Sequence, residues 1–219
     1  MPTQIYKLQD GTRVSGVTTI LNGVKLGGIE GLLHWANAEG LAGRNHRETR
    51  DAAADAGTCA HEMVECEIHG KELPPNKYTA DILARAEPAF MAYRTWAAQT
   101  KLTALHTEMP LVSEKYRYGG CLDAILIDGQ LSLGDWKTSN SVRMEMLLQL
   151  AGYAILWREH FPDKPLTGGF HLLRFSKQAQ PDDPVSFAHH YWSQLDLAES
   201  MFPMMVKLYD DAKRLSKMV

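Results

Sequence analysis

The 219 residues are 45% hydrophobic and 22% charged, a soluble globular composition with enough apolar material for a sizeable core. A net charge of -3 argues against a protein that coats nucleic acid through overall positive charge. It leaves room for an enzyme that gathers acidic metal ligands and keeps basic residues along a strand path. The sequence lacks an apolar run of the ~18 residues that a membrane span requires. The opening MPTQIYKLQDGTRV shows no leader pattern, and Cys59, Cys66 and Cys121 are not spaced as a zinc or cluster set. The expectation is one domain over residues 1–219, cytoplasmic, with no membrane partner.

In chain order, residues 5–8 read as extended before a turn at Gly11-Thr12, while VTTILNGV (17–24) is β-branched enough to leave helix and strand both open. A short helix is expected over 31–41 with Leu32, Leu33 and Trp35. GRNHRETRD (43–51) then reads as a basic break before a longer helix from about Asp51 to Ile68, ended by His69-Gly70 and Pro74-Pro75. Tyr78 to Thr100 reads as helix, with Pro88 marking a kink or a boundary. At Leu105 the period changes, and three successive strands are expected, separated by Tyr118-Gly119-Gly120 and Asp128-Gly129-Gln130. A helix from Val142 to Phe161 follows, then a strand near 170–175, a Pro181-Asp182-Asp183-Pro184 break, a strand near 185–191 and a last helix from about Ser193 to Lys217. This order implies an α/β fold with a mixed sheet flanked by helices and a helical N-terminal portion.

The hairpin around Gly129 concentrates the chemistry. If Ile127 and Leu131 close a three-residue turn in which Gly129 or Gln130 absorbs the special geometry, Asp123 and Asp135 each lie four residues from its ends and oppose one another, with Cβ atoms roughly 5 Å apart. The period of two puts Lys137 on the same face, and Leu122, Ala124, Leu126 and Trp136 on the other. Two carboxylates and an ammonium in an apolar strand pair suit Mg2+, which prefers carboxylate oxygens, polarises a phosphodiester and lowers the pKa of an attacking water. Asp123 and Asp135 would be its ligands, and Lys137 would orient that water or stabilise charge on phosphate. A salt-bridged pair at the solvated end of a hairpin is the plainer alternative.

Ordered motifs favour the catalytic reading. Gly57-Thr58-Cys59-Ala60-His61, Gly120-Cys121-Leu122-Asp123, Asp135-Trp136-Lys137-Thr138, and Gln149 with Tyr153 resemble, in that order, the Gly-x-x-x-His, Gly-x-x-Asp, Asp-x-Lys-Thr and Gln-x-x-x-Tyr elements of one family. That family is the RecB-like, phage-exonuclease-like branch of the PD-(D/E)xK nuclease superfamily, and the resemblance covers roughly Gly57 to Tyr153. It implies a restriction-endonuclease-like core, DNA as substrate, and Mg2+ with Mn2+ as substitute. It further implies exonuclease action in recombination, repair or phage DNA processing, in a bacterial cell or phage-infected host, with a recombination or single-strand-binding protein as a possible partner. An endonuclease and a noncatalytic DNA-binding or assembly protein of the same fold stay open. The iron-sulfur members of the branch need four cluster cysteines, so no such cluster is expected with three.

The resemblance also makes His61 a metal ligand beside Asp123 and Asp135; otherwise it would pair with Glu65 one turn onward. The second histidine of a His-Glu-x-x-His zinc site is missing. Glu114, in the strand before the hairpin, would add a carboxylate, or else pair with Lys115 and Arg117. Gln149 and Tyr153 lie one helical turn apart and would orient Lys137, water or phosphate; alternatively Tyr153 packs on Trp157 and Gln149 faces solvent. Arg44, His46, Arg47 and Arg50 form the richest basic run, a candidate for phosphate contacts.

Overall fold

Side chains mark where the two long N-terminal helices begin. Asn45 Oδ1 accepts from the Arg47 amide (3.0 Å) and opens α3 (His46–Ile68); the Thr79 hydroxyl accepts from the Ile82 amide (3.3 Å) and opens α4 (Ala80–Gln99). The basic segment expected as a break is therefore the first turn of α3, which starts five residues earlier than its composition suggested. Helix α4 runs through Pro88. The β-branched stretch left open in sequence is helix α1 (Val17–Val24), and α2 (Glu30–Leu41) follows it. The computed structural model describes residues 4–27, 29–175 and 187–218.

Among the described residues, seven strands form a mixed sheet: β1 (Tyr6–Lys7), β2 (Arg13–Gly16), β3 (Thr103–Ser113), β4 (Tyr118–Ile127), β5 (Leu131–Thr138), β6 (Phe170–Phe175) and β7 (Phe187–Trp192). The β4–β5 hairpin closes with Ile127 opposite Leu131, the register read from sequence, and of the two candidate turn residues it is Gly129 that takes the left-handed geometry, at φ +72°. Tyr118-Gly119-Gly120 is not a separator. It begins β4, and the turn from β3 is Glu114–Arg117, with Arg117 at φ +58°. Gly119 and Gly120 are needed because aromatic rings lie on the strand there. A Cβ at Gly119 would stand 2.2 Å from the Tyr6 ring, and one at Gly120 2.8 Å from the Tyr153 ring.

Helix α5 (Met144–His160) is the crossover between the parallel strands β5 and β6, and α6 (Asp196–Leu215) packs on it. One core lies between the sheet and α1, α5 and α6; it includes Ile20, Leu122, Ile125, Leu133, Trp157 and Phe202. A second lies between the sheet and α3 and α4; it includes Cys59, Tyr93, Trp96, Ala124, Leu126 and Trp136. Each fully buried Leu or Ile contributes about 1.5–3 kcal/mol, so these two layers fix the sheet on both faces. The outcome is a restriction-endonuclease-like α/β fold. Leu122 belongs to the first core while Ala124 and Leu126 belong to the second, which corrects the expectation that all three share a face. Loss of strict alternation between Leu122 and Ala124 coincides with Asp123. The expected Pro181–Pro184 break lies outside the described residues. Among those described, no helix is long and apolar enough to cross a membrane.

One topological detail positions the site. Strand β3 pairs along one edge of β4, while the other edge is shared: β2 takes Tyr118 and Gly119, and β5 takes Ala124 to Ile127. Gly120 to Asp123 have no registered partner on that second edge. A cleft of ≈ 760 Å³ opens there, lined by residues of β1, α1, α3, β4 and α5.

Candidate metal centre

Asp123 lies where the β4–β5 ladder ends. Its carboxylate takes over a backbone role: Oδ2 accepts from the Trp136 amide at 3.0 Å. The same oxygen lies 3.8 Å from Lys137 Nζ and 4.0 Å from His61 Nδ1. His61 reaches it from α3, whose close seating on β5 depends on Gly57. A Cβ there would stand 2.7 Å from Thr138 Oγ1. Thus Gly57 and Gly120, the first residues of two motifs, are the places where a helix and a ring approach the sheet.

The third member of the group is Glu108. The β3–β4 register places it directly across from Asp123, between the Thr107–Ala124 and Met109–Leu122 pairs. Its φ is +48°, an unfavourable backbone for a side chain other than glycine, and such strain concentrates at functional sites. His61, Glu108 and Asp123 each offer a ligand atom, all within 4.8 Å of one another. Burial, then the Asp123 charge, pushes the Glu108 carboxyl up to about 7. Burial holds the His61 imidazole below its usual range, and Lys137 adds to the effect against the pull of Asp123. The ring is therefore neutral and able to bind a metal.

Asp135 is differently placed. It is completely buried, and Lys137 Nζ stands 2.6 Å from both its oxygens, donating a hydrogen bond to Oδ1. Oδ2 has ion-pair distance without hydrogen-bond geometry. Burial pushes the Asp135 carboxyl up while Lys137 opposes the shift; burial also pulls Lys137 down, and Asp135 and Asp123 outweigh it. The expected metal set was His61, Asp123 and Asp135. The group brought together is instead His61, Asp123 and Glu108, with Asp135 one step behind it as the partner of Lys137.

Gln149 and Tyr153 are both buried and line the cleft, with Gln149 Nε2 donating to Tyr153 Oη at 2.7 Å. Burial, followed by the charges of Asp123 and Asp135, pushes the phenol pKa far up, so Tyr153 is a neutral hydrogen-bonding group beside both carboxylates. Glu114 is not in the group. It follows the end of β3, in the turn, and accepts from the Gln9 amide at 2.8 Å. The structure brings Glu108 rather than Glu114 to His61 and Asp123, and a turn expected at Tyr118-Gly119-Gly120 hides that placement. A turn at Glu114–Arg117 leaves Glu108 and Asp123 equally far from it, and that count was the available signal. In the basic run, Arg44 is held by Glu39 at 2.9 Å, and hydrogen bonds from Arg44 and Thr49 lower the Glu39 carboxyl to about 2. Arg50 alone of that run lines the cleft, and it pairs with Asp51.

The donor set fits a divalent cation. Two carboxylates and a neutral imidazole converge, Glu108 resists ionising beside Asp123, and an oxygen of Asp135 is buried without a hydrogen bond. Oxygen-rich sites of this kind suit Mg2+ or Mn2+.

No protein-family model matches the sequence, and no curated protein matches it. Among solved structures the chain is similar to a Eubacterium rectale protein provisionally named an exonuclease, at 13% identity and a TM-score of 0.44 over 71% of this chain and 68% of that one. It is also similar to LHK-Exo, solved in complex with dAMP, at 14% identity and a TM-score of 0.41 over 77% of this chain and 92% of that one.

Proposed function

We propose that the chain is a metal-dependent deoxyribonuclease of the RecB-like branch of the PD-(D/E)xK superfamily, an exonuclease hydrolysing phosphodiesters in recombination, repair or phage DNA processing. The observation that carries this reading is the convergence of His61, Glu108 and Asp123 in an open cleft, with Lys137 3.8 Å from Asp123. His61, Glu108 and Asp123 would hold Mg2+, for which Mn2+ would substitute, and the cation supplies charge stabilisation at phosphate and a more acidic water. The whole chain acts as one domain, cytoplasmic, with DNA as substrate. A recombination or single-strand-binding protein would be its partner. Three cysteines provide no four-ligand iron-sulfur site.

The chain's own residues have separable tasks. Lys137 presents an ammonium beside Asp123, where it can orient an attacking water or meet charge gathering on a phosphate oxygen. Asp135 keeps that ammonium charged and fixed. Tyr153, held by Gln149, offers a phenolic hydrogen bond at the cleft wall. Trp136 fixes Asp123 through its amide, so the β5 backbone holds one member of the site in place.

The test is cleavage of end-labelled linear and closed circular DNA with Mg2+, Mn2+ or chelator. Shortening from free ends that stops in chelator is expected. Rapid cutting of closed circles would replace the exonuclease with an endonuclease, and metal-independent DNA binding without any cleavage would replace both with a binding protein.

A further inference from the structure

The wall of the cleft carries an aromatic ring that the hydrolytic reading leaves without a task. Tyr6 comes from β1, pairs with Val14 of β2 and lines the cleft half-buried. Its ring rests on two glycines that are register partners across the parallel β2–β4 rung. A Cβ on Gly16 would stand 2.9 Å from the ring, and one on Gly119 2.2 Å. Bare backbone on both strands is what lets the ring lie there. The hairpin that carries it is tied down: Leu8 is buried, its amide donates to the Thr12 carbonyl, and the Gln9 amide donates to Glu114 at 2.8 Å. Glu114, outside the cation group, thus helps to hold the segment that presents Tyr6.

The hydroxyl does not account for the position of the ring. Among the described residues no hydrogen bond reaches it, in contrast to the Tyr153 hydroxyl, which accepts from Gln149. Burial, then Cys121 and Glu108, pushes the Tyr6 phenol up to about 12, so the ring brings no charge to an acidic cleft. From α3 the same cleft is lined by Ala53, Ala54 and Gly57, too small to fill it, and by the Arg50 guanidinium, which suits a phosphate. Its ≈ 760 Å³ falls in the range of roughly 300–1,000 Å³ that sites for single small ligands occupy. That is the scale of a few nucleotides and well short of a duplex.

We propose that Tyr6 is the stacking platform for one unpaired base of the substrate, next to the phosphate held at the cation group, and that the cleft therefore takes a single strand. The inference rests on the hydrolytic reading for the class of ligand, and adds to it a base subsite and a strand preference. An aromatic ring accepts any base, so the subsite grips a strand without choosing its sequence. In a duplex each base is paired and stacked within the helix, and it reaches the ring only by leaving that stack, which disfavours duplex substrates.

The experiment reads binding of a short labelled single strand to the full chain by fluorescence anisotropy, with Ca2+ in place of Mg2+ to separate binding from cleavage. Tyr6→Leu should weaken binding at least tenfold, the order expected for one stacked base, while Tyr6→Phe stays within about threefold of the parent. An abasic nucleotide walked along the strand should weaken the parent at least tenfold at one position and leave Tyr6→Leu indifferent there. The same strand annealed to its complement should bind at least tenfold more weakly. Unchanged affinity in Tyr6→Leu, equal losses in Tyr6→Leu and Tyr6→Phe, or no abasic position that separates parent from Tyr6→Leu overturns the proposal. So does a duplex bound as tightly as the single strand, or a folded parent that binds no single strand. Should Tyr6→Leu fail to fold, 5-iodouracil placed along the strand decides the matter with the unaltered chain. Irradiation should crosslink it to Tyr6, as mapped by mass spectrometry, and crosslinks confined to other residues refute the platform. Binding through Tyr6 by a chain that cleaves no DNA would sink the hydrolytic reading alone. A Mg2+-dependent nuclease whose strand affinity ignores Tyr6 would sink this one alone.

Discussion

Asp135 and Asp123 stand at the same end of one hairpin, and their charges are answered in different ways. Asp135 is wholly enclosed and has its counterion two residues along its own strand, with Lys137 Nζ at 2.6 Å. Asp123 is partly exposed to the cleft, faces Glu108 across β3–β4, and has His61 at 4.0 Å and Lys137 at 3.8 Å. The first carboxylate finds its counterion within a single strand. The second shares its surroundings with another acid whose pKa is pushed up to about 7, and the pair is left in want of positive charge. A local pair holds its geometry without help, whereas a group drawn from a helix and two strands keeps its charge unbalanced until a cation arrives.

Breaking the unbalanced arm should have the largest effect. Asp123→Asn is expected to lower single-turnover cleavage about 100-fold or more while leaving the circular dichroism unchanged. Near-normal Mg2+-dependent cleavage by this variant would remove Asp123 from the centre. The balanced arm should respond in stability as well as rate. Lys137→Met strands Asp135 in the interior and should cost about 2–4 kcal/mol in urea unfolding, along with most of the cleavage. Adding Asp135→Asn to Lys137→Met should recover part of that stability without recovering cleavage; additive losses would contradict a self-contained pair.

A finer contrast separates the two candidate acids of β3 and its turn. Glu108→Gln should weaken Mn2+ binding at least tenfold, about 1.4 kcal/mol by calorimetry, and Glu114→Gln should leave it unchanged. The reverse ranking would restore Glu114 to the site. The smallest effect is expected at Gly57, where a Cβ would meet Thr138 Oγ1 at 2.7 Å. Overpacking there costs about 1–3 kcal/mol and helix propensity returns about 1, so Gly57→Ala should lose roughly 1 kcal/mol, and Thr138→Ala should relieve it. A stabilised Gly57→Ala would mean that α3 is not seated against β5 through this contact.

What the sequence revealed follows how local each feature is. The β4–β5 register depends on a spacing of a few residues and is found as read, with Gly129 taking the left-handed position for which Gly129 and Gln130 were both candidates; Gln149 and Tyr153, one helical turn apart, share the cleft wall. The α3 start was misplaced because Asn45, a cap, sat inside a basic stretch that looked like a loop. Glu108 went unnoticed because its place depends on which of two turn-like segments joins β3 to β4. Gly119 and Gly120 imitated a turn although their bareness serves the rings of Tyr6 and Tyr153, both far away in sequence. Asp135 reads as a ligand from the hairpin count, which sets it opposite Asp123, although the ladder ends at Ala124–Gly134. Its complete burial beside Lys137 depends on packing by β6 and the helical layers, which no local pattern encodes.

The most direct test of the centre is anomalous diffraction from crystals of the full chain loaded with Mn2+. The geometry predicts a peak within bonding distance of His61, Glu108 and Asp123, with Lys137 still paired to Asp135. A peak bound elsewhere, or no peak at a concentration of Mn2+ that supports cleavage, would contradict it.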